Sequence, residues 1–168
     1  LMTLVLVSGV LAIGRNRRTL LLAVILVLPA IAARWINHFQ PDLLPHWVHT
    51  TVSLVFISFV EFQLLHFIFR ARRVNAEVLS AGISGYLLLG MLWMFAYMLV
   101  SRLDPLGAFS YNVGPASTQQ LLQFFDAYYF SYITLSTVGY GDITPISRAA
   151  RTLAMTEAMT GTLYLTVL

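Results

Sequence analysis

Cysteine is absent from these 168 residues, which excludes disulfides and thiolate metal sites. Lysine is absent too, so all 10 basic residues are arginine. Only 10% of residues are charged while 58% are hydrophobic, well outside the balance of a soluble globular domain. The net charge of +3 is modest, and no basic run with interleaved aromatics occurs, so a nucleic-acid partner is not expected. A catalytic constellation is missing as well. No nucleophile sits in register with a base, no H-E-x-x-H run occurs and no cofactor motif is present, so neither an enzyme nor a cofactor is expected. The first apolar run has no basic start and no cleavage site, which excludes a signal peptide on this sequence.

What the chain does have is apolar length. Residues 1–13 form an apolar run too short to cross a bilayer, which needs about 20 residues. A basic turn, Gly14–Arg18, follows it. Thr19–Ile36 is a second span, kinked at Pro29, and a polar connection 37–46 leads to a third, Trp47–Phe69. After Arg70, Arg72 and Arg73 comes a fourth, Val78–Val100, with Trp93 and Tyr97 as candidate interface anchors and Ala81/Gly85 permitting close helix approach. Residues 101–120 read as a loop. Leu121–Leu135 reads as a helix of about fifteen residues, roughly 22 Å, too short to span. A glycine-rich string, Pro145 and a last apolar run from Ala149 complete the chain.

Arginine placement orients the spans. Arg15, Arg17, Arg18, Arg70, Arg72 and Arg73 crowd one side against Glu77 alone. Opposite them, Arg34, Arg102, Arg148 and Arg151 are balanced by Asp42, Asp104, Asp126 and Asp142. The positive-inside rule makes the arginine-rich turns cytoplasmic and puts the short helix and the glycine-rich string outside. The chain begins and stops inside apolar runs, where a helix would leave backbone groups unsatisfied, so a longer protein is expected. Its first span would lie upstream of Leu1, the alternative being an authentic five-span chain, and any cytoplasmic gating domain beyond Leu168.

The glycine-rich string is Thr137-Val138-Gly139-Tyr140-Gly141-Asp142. Stacked rings of backbone carbonyls can replace the hydration shell of a potassium ion. Turning successive carbonyls the same way requires ordinary and left-handed dihedrals to alternate, and Gly139 and Gly141 stand where φ > 0 is needed. Val138 and Tyr140 are then free to point away from the ion and pack the loop from behind, and Thr137 can add its hydroxyl as the innermost ring.

This string resembles the selectivity filter of potassium channels and matches that family's filter letter for letter. The resemblance, to a prokaryotic six-span subunit without an arginine voltage ladder, is strongest over residues 78–168. It implies an all-α membrane protein: a potassium-channel pore of outer helix 78–100, re-entrant pore helix 121–135, filter 137–142 and inner helix 148–168. Peripheral transmembrane helices in residues 1–77 would precede that pore. It further implies a homotetramer in a prokaryotic plasma membrane, binding K+ at Thr137, Val138, Gly139 and Tyr140, with Gly141 closing the filter. Asp142 would brace the filter by accepting a hydrogen bond from a ring on the pore helix, where Tyr129 is the available donor in place of the family's tryptophans. Ile133 stands where some relatives carry a buried glutamate. Gly161 matches an inner-helix hinge, with close packing on the pore helix as the competing role, and Thr162 and Leu165 match cavity-lining positions. Asp126 suits the positive end of the pore-helix dipole. Glu157, expensive in a membrane if unpaired, is expected behind the filter, bonded to a pore-helix hydroxyl such as Thr134 or Ser136 or paired with arginine, the competing role being a carboxyl near the outer interface that reaches water.

The span Trp47–Phe69 carries no arginine before Arg70, so it cannot supply an arginine ladder for voltage sensing. Its Glu61 and His66 are turned apart by a five-residue offset and suit helix contacts better than a metal. Other readings are a nonselective cation channel on the same scaffold, a membrane enzyme and a transporter subunit. The intact Tyr140 opposes the first, the missing catalytic groups the second, and the single filter string the third.

Overall fold

In the computed structural model the described residues are 46–71, 73–104, 107–112, 118–119 and 121–167. The expected spans 1–13 and 19–36, the Arg15–Arg18 turn and Arg72 lie outside them. The chain divides into compact units at Val74 and Asn75, each described by itself.

In the first unit, the apolar run from Thr50 winds into α1, His46–Arg70, which ends with Arg70 where a cation favours the helix dipole. Glu61 is 3% exposed, and neither carboxylate oxygen has a hydrogen-bond partner among the described residues. His66 is exposed and stacks on Phe62, one turn away on the same face.

The second unit opens with α2, Ala76–Leu103. Asn75 caps it by accepting a bond from the Val78 amide at 2.9 Å, which starts the helix earlier than hydropathy alone suggests. Among the described residues, α2 and the Thr50–Arg70 stretch of α1 are long and apolar enough to cross a membrane. Next come β1, Phe109–Tyr111, and β2, Thr118–Gln119, then α3, Phe124–Leu135, β3, Ile143–Pro145, and α4, Arg148–Val167. Ser147 caps α4 by accepting from the Ala150 amide at 3.2 Å.

α4 has 20 residues, about 30 Å at 1.5 Å per residue. It is less apolar than α2 because Thr152, Thr156, Thr160, Thr162 and Thr166 punctuate it. Each of those hydroxyls donates to the carbonyl four residues earlier, so none is left unsatisfied.

The expectation of an all-α chain needs one correction. The three strands form an antiparallel sheet in the order β2-β1-β3, with Ser110 opposite Thr144 on one side and Gln119 on the other. Hydropathy reads residues 101–120 as loop because Phe109 and Tyr111 are too few to show a strand period. The sheet ties that loop to the residues just after the glycine-rich string. The short helix is also shorter than expected: it starts at Phe124, and the Leu122 amide is held by the Ser101 hydroxyl at 2.9 Å just before it.

Where α2, β1 and α3 meet, Tyr97, Phe109 and Phe130 pack edge to face, with ring centroids 4.9–5.7 Å apart. Such pairs contribute about 0.5–1.5 kcal/mol each beyond area burial. Tyr97 is fully buried, so it is a core residue and not the interface anchor its sequence position suggests.

Candidate functional site

The site begins where α3 stops. The Thr137 amide donates to the Thr134 carbonyl at 2.9 Å and the Val138 amide to the Ile133 carbonyl at 2.9 Å. These are the paired bonds of a Schellman cap, which needs a left-handed residue at its turn. That residue is Thr137, at φ 59°. A β-branched side chain there costs roughly 1–2 kcal/mol relative to glycine, so the position retains a hydroxyl at the expense of backbone ease.

From this cap the chain alternates. Thr137, Gly139 and Gly141 have φ of 59°, 52° and 79°, and among the described non-glycine residues only Thr137 is positive. Val138 and Tyr140 therefore keep ordinary dihedrals between them. The Gly139 amide also reaches the Ile133 carbonyl, at 3.1 Å, so the loop's inner end hangs from one α3 carbonyl. Val138 and Tyr140, expected to pack behind the loop, are 53% and 72% exposed in the single chain.

Behind the loop lies a polar clamp. Glu157 on α4 is 0% exposed. Its carboxyl takes bonds from the Ser131 hydroxyl on α3, at 2.6 Å, and from the Tyr97 hydroxyl on α2. The same Ser131 oxygen lies 2.7 Å from the Gly90 carbonyl of α2, so its one hydroxyl proton is shared between the two acceptors. A buried carboxyl is costly unless its oxygens are bonded, and here α2 and α3 supply the bonds to the carboxyl on α4. The expected partners Thr134 and Ser136 give way to Ser131, a turn earlier on α3. The Ser136 hydroxyl turns instead to the Tyr132 carbonyl at 2.6 Å.

Gly161 sits where α4 crosses the end of α3. A Cβ on it would lie 2.2 Å from the Leu135 carbonyl oxygen and 2.9 Å from Leu135 Cδ1, so the contact is backbone against backbone. Close packing is therefore present at this position whatever its part in gating. Gly90 does the same for Tyr132, whose ring would lie 2.7 Å from an added Cβ and whose hydroxyl donates to the Leu87 carbonyl at 2.6 Å. Thr162 and Leu165 are exposed on α4 and share a face.

At the outer end, interaction with Asp142, hydrogen bonding first, holds the Tyr129 phenol above its ordinary pKa. The Asp142 Oδ1 is buried without a hydrogen bond among the described residues. Asp126, in the first turn of α3, accepts the Tyr111 hydroxyl at 2.7 Å. Burial first, and then that bond, push the Tyr111 phenol up. Asn112 donates its main-chain amide to the Asp142 carbonyl at 2.7 Å and its side-chain amide to the Gly141 carbonyl at 3.0 Å.

The structure thus brings Thr137–Asp142, Tyr129, Glu157 and Gly161 onto one framework around the end of α3. Ser131, Tyr97, Asn112 and the strain at Thr137 escape a reading of the sequence. A serine three residues before Thr134 and a tyrosine in an apolar span carry no local signal of their partner. Among the described residues no three His, Asp or Glu side chains gather as a metal site.

Residues 92–168 match a family model described as ion channel. The chain is 36% identical over 82 residues to two pore potassium channel b of rice, Oryza sativa subsp. japonica, covering 49% of this chain and 22% of that protein. It is 48% identical over 42 residues to two-pore potassium channel 4 of Arabidopsis thaliana, covering 25% of this chain and 15% of that protein. The chain thus spans less than a quarter of the length of the curated relatives it matches. Over residues 92–168 the chain is thus similar to ion channels, and among the described residues it carries helices long and apolar enough to cross a membrane.

Proposed function

We propose that this chain is one subunit of a potassium-selective channel, passing K+ passively through rings of backbone carbonyls from Thr137, Val138, Gly139 and Tyr140. The alternation of left-handed and ordinary dihedrals from Thr137 to Gly141 carries this reading, because it is what aligns successive carbonyls on one side of a strand. The names of both plant relatives support potassium as the ion.

One chain offers one carbonyl per level, so four copies close a ring, and a homotetramer is the assembly proposed. The exposure of Val138, Tyr140, Leu163 and Leu165 in the single chain supports neighbours that cover them. The negative end of α3, at Leu135 and Ser136, would favour a cation at the inner mouth. Thr162 and Leu165 would line the cavity below it. With the arginine turns cytoplasmic, the filter faces outward, in a plasma membrane of prokaryotic type. Without an arginine ladder, opening would not follow membrane voltage in the usual way.

The test is the reversal potential of purified protein in planar bilayers, with potassium on one side and sodium on the other. A value near the potassium equilibrium potential, lost in Gly139→Ala, supports the reading. Clear current reversing near zero would replace it with a nonselective cation channel on the same scaffold. Chemical cross-linking that stops at four chains would support the homotetramer, and a dimeric limit would refute it.

A further inference from the structure

Asn112 follows β1 directly and reaches the outer end of the filter. Its main-chain amide bonds the Asp142 carbonyl, extending the β1–β3 ladder past the pairing of Tyr111 with Ile143. Its side-chain Nδ2 divides its protons between the Gly141 carbonyl at 3.0 Å and the Thr144 hydroxyl oxygen at 3.1 Å. The Ser110 hydroxyl lies 3.5 Å from Oδ1 on the far side. A carbonyl can only accept, so Gly141 fixes which end of the amide faces the filter. One residue therefore holds two consecutive carbonyls.

We propose that Asn112 is a positioning residue that sets where the line of ion-facing carbonyls ends. By holding the Gly141 oxygen it turns that group toward the sheet, so the line stops at Tyr140. Gly141 is otherwise poorly restrained: its φ is 79°, and an added Cβ would meet nothing within 4 Å. A peptide free to rock there would also loosen the Tyr140 carbonyl, which belongs to the adjacent peptide unit. Fixing it beforehand lowers the ordering cost that each arriving ion would otherwise meet.

This inference rests on the filter reading, and the test separates the two. The full chain in detergent is titrated with KCl against NaCl at constant ionic strength, and its melting temperature is followed. Wild-type protein is stabilised saturably by K+ and not by Na+; if it is not, the filter reading fails. Given that behaviour, Asn112→Ala and Asn112→Asp raise the half-saturating K+ concentration about two- to tenfold, the loss of one hydrogen bond. The aspartate sets an acceptor against an acceptor. Asn112→Gln, which keeps the donor, recovers part of the shift. Every variant retains the main-chain bond to Asp142, so the sheet survives. A melting temperature lowered equally in both salts, with the K+ midpoint unmoved, would overturn the proposal.

Discussion

Replacing Gly161 with alanine sets two effects against each other. In an unconstrained helix the change stabilises by about 1 kcal/mol, because glycine is the poorer helix former. Here the new methyl would stand 2.2 Å from the Leu135 carbonyl oxygen, which is main chain and cannot rotate away. α4 would have to retreat from α3 by about 1 Å, an overpacking cost of roughly 3 kcal/mol. The net expectation is a loss of about 2 kcal/mol, near thirtyfold in the folding equilibrium. Denaturant unfolding of the purified chain reads this directly. Because Leu135 lies inside the Schellman cap, the retreat should also shift Thr137 and weaken K+ over Na+ discrimination in the bilayer measurement. A Gly161→Ala protein as stable as wild type, with selectivity intact, would refute the packing argument and leave a hinge as the reason for the glycine.

Two further outcomes follow from the same framework. Tyr97→Phe leaves one oxygen of the buried Glu157 without its donor, which should cost about 1–3 kcal/mol by denaturant unfolding. Paired with Glu157→Leu, the second loss should be much less than additive, because both substitutions act on one bond. The raised Tyr111 phenol favours the neutral form in the folded chain, so its stabilising contribution is complete below the ordinary tyrosine pKa, about 10, and is lost as pH rises past it. The difference in melting temperature between wild type and Tyr111→Phe should therefore be constant near pH 7–9 and shrink above about 10. A constant difference up to pH 11 would contradict the assignment.

The parts of the site legible in the sequence are the local ones. A run of six residues carries its own dihedral demands, and an apolar run of twenty-odd residues declares a span without help from its neighbours. Glu157 announces itself by its cost, but not its partners, since Ser131 and Tyr97 lie 26 and 60 residues away. The same holds for the sheet, whose short strands meet only because the chain doubles back after Asp142. Thr137 is the instructive failure. Glycine marks a left-handed turn openly, whereas a threonine at φ 59° is visible only once the cap bonds to Ile133 and Thr134 are seen. Tyr97 shows the converse, a residue with an interfacial look that the fold places at the centre of its core.

The glycine-rich string is fastened at both ends, to the Ile133 carbonyl below and to β1 through Asn112 above. A strand tethered that way has a fixed span and no slack. Single-residue insertions or deletions between Thr134 and Asp142 should therefore be lethal to conduction wherever they fall, even beside a glycine. The same change placed after Asn112 and before β2 falls outside the fastened string. Among homologous chains, length variation should accumulate ahead of α3 and stop abruptly at its C-terminus.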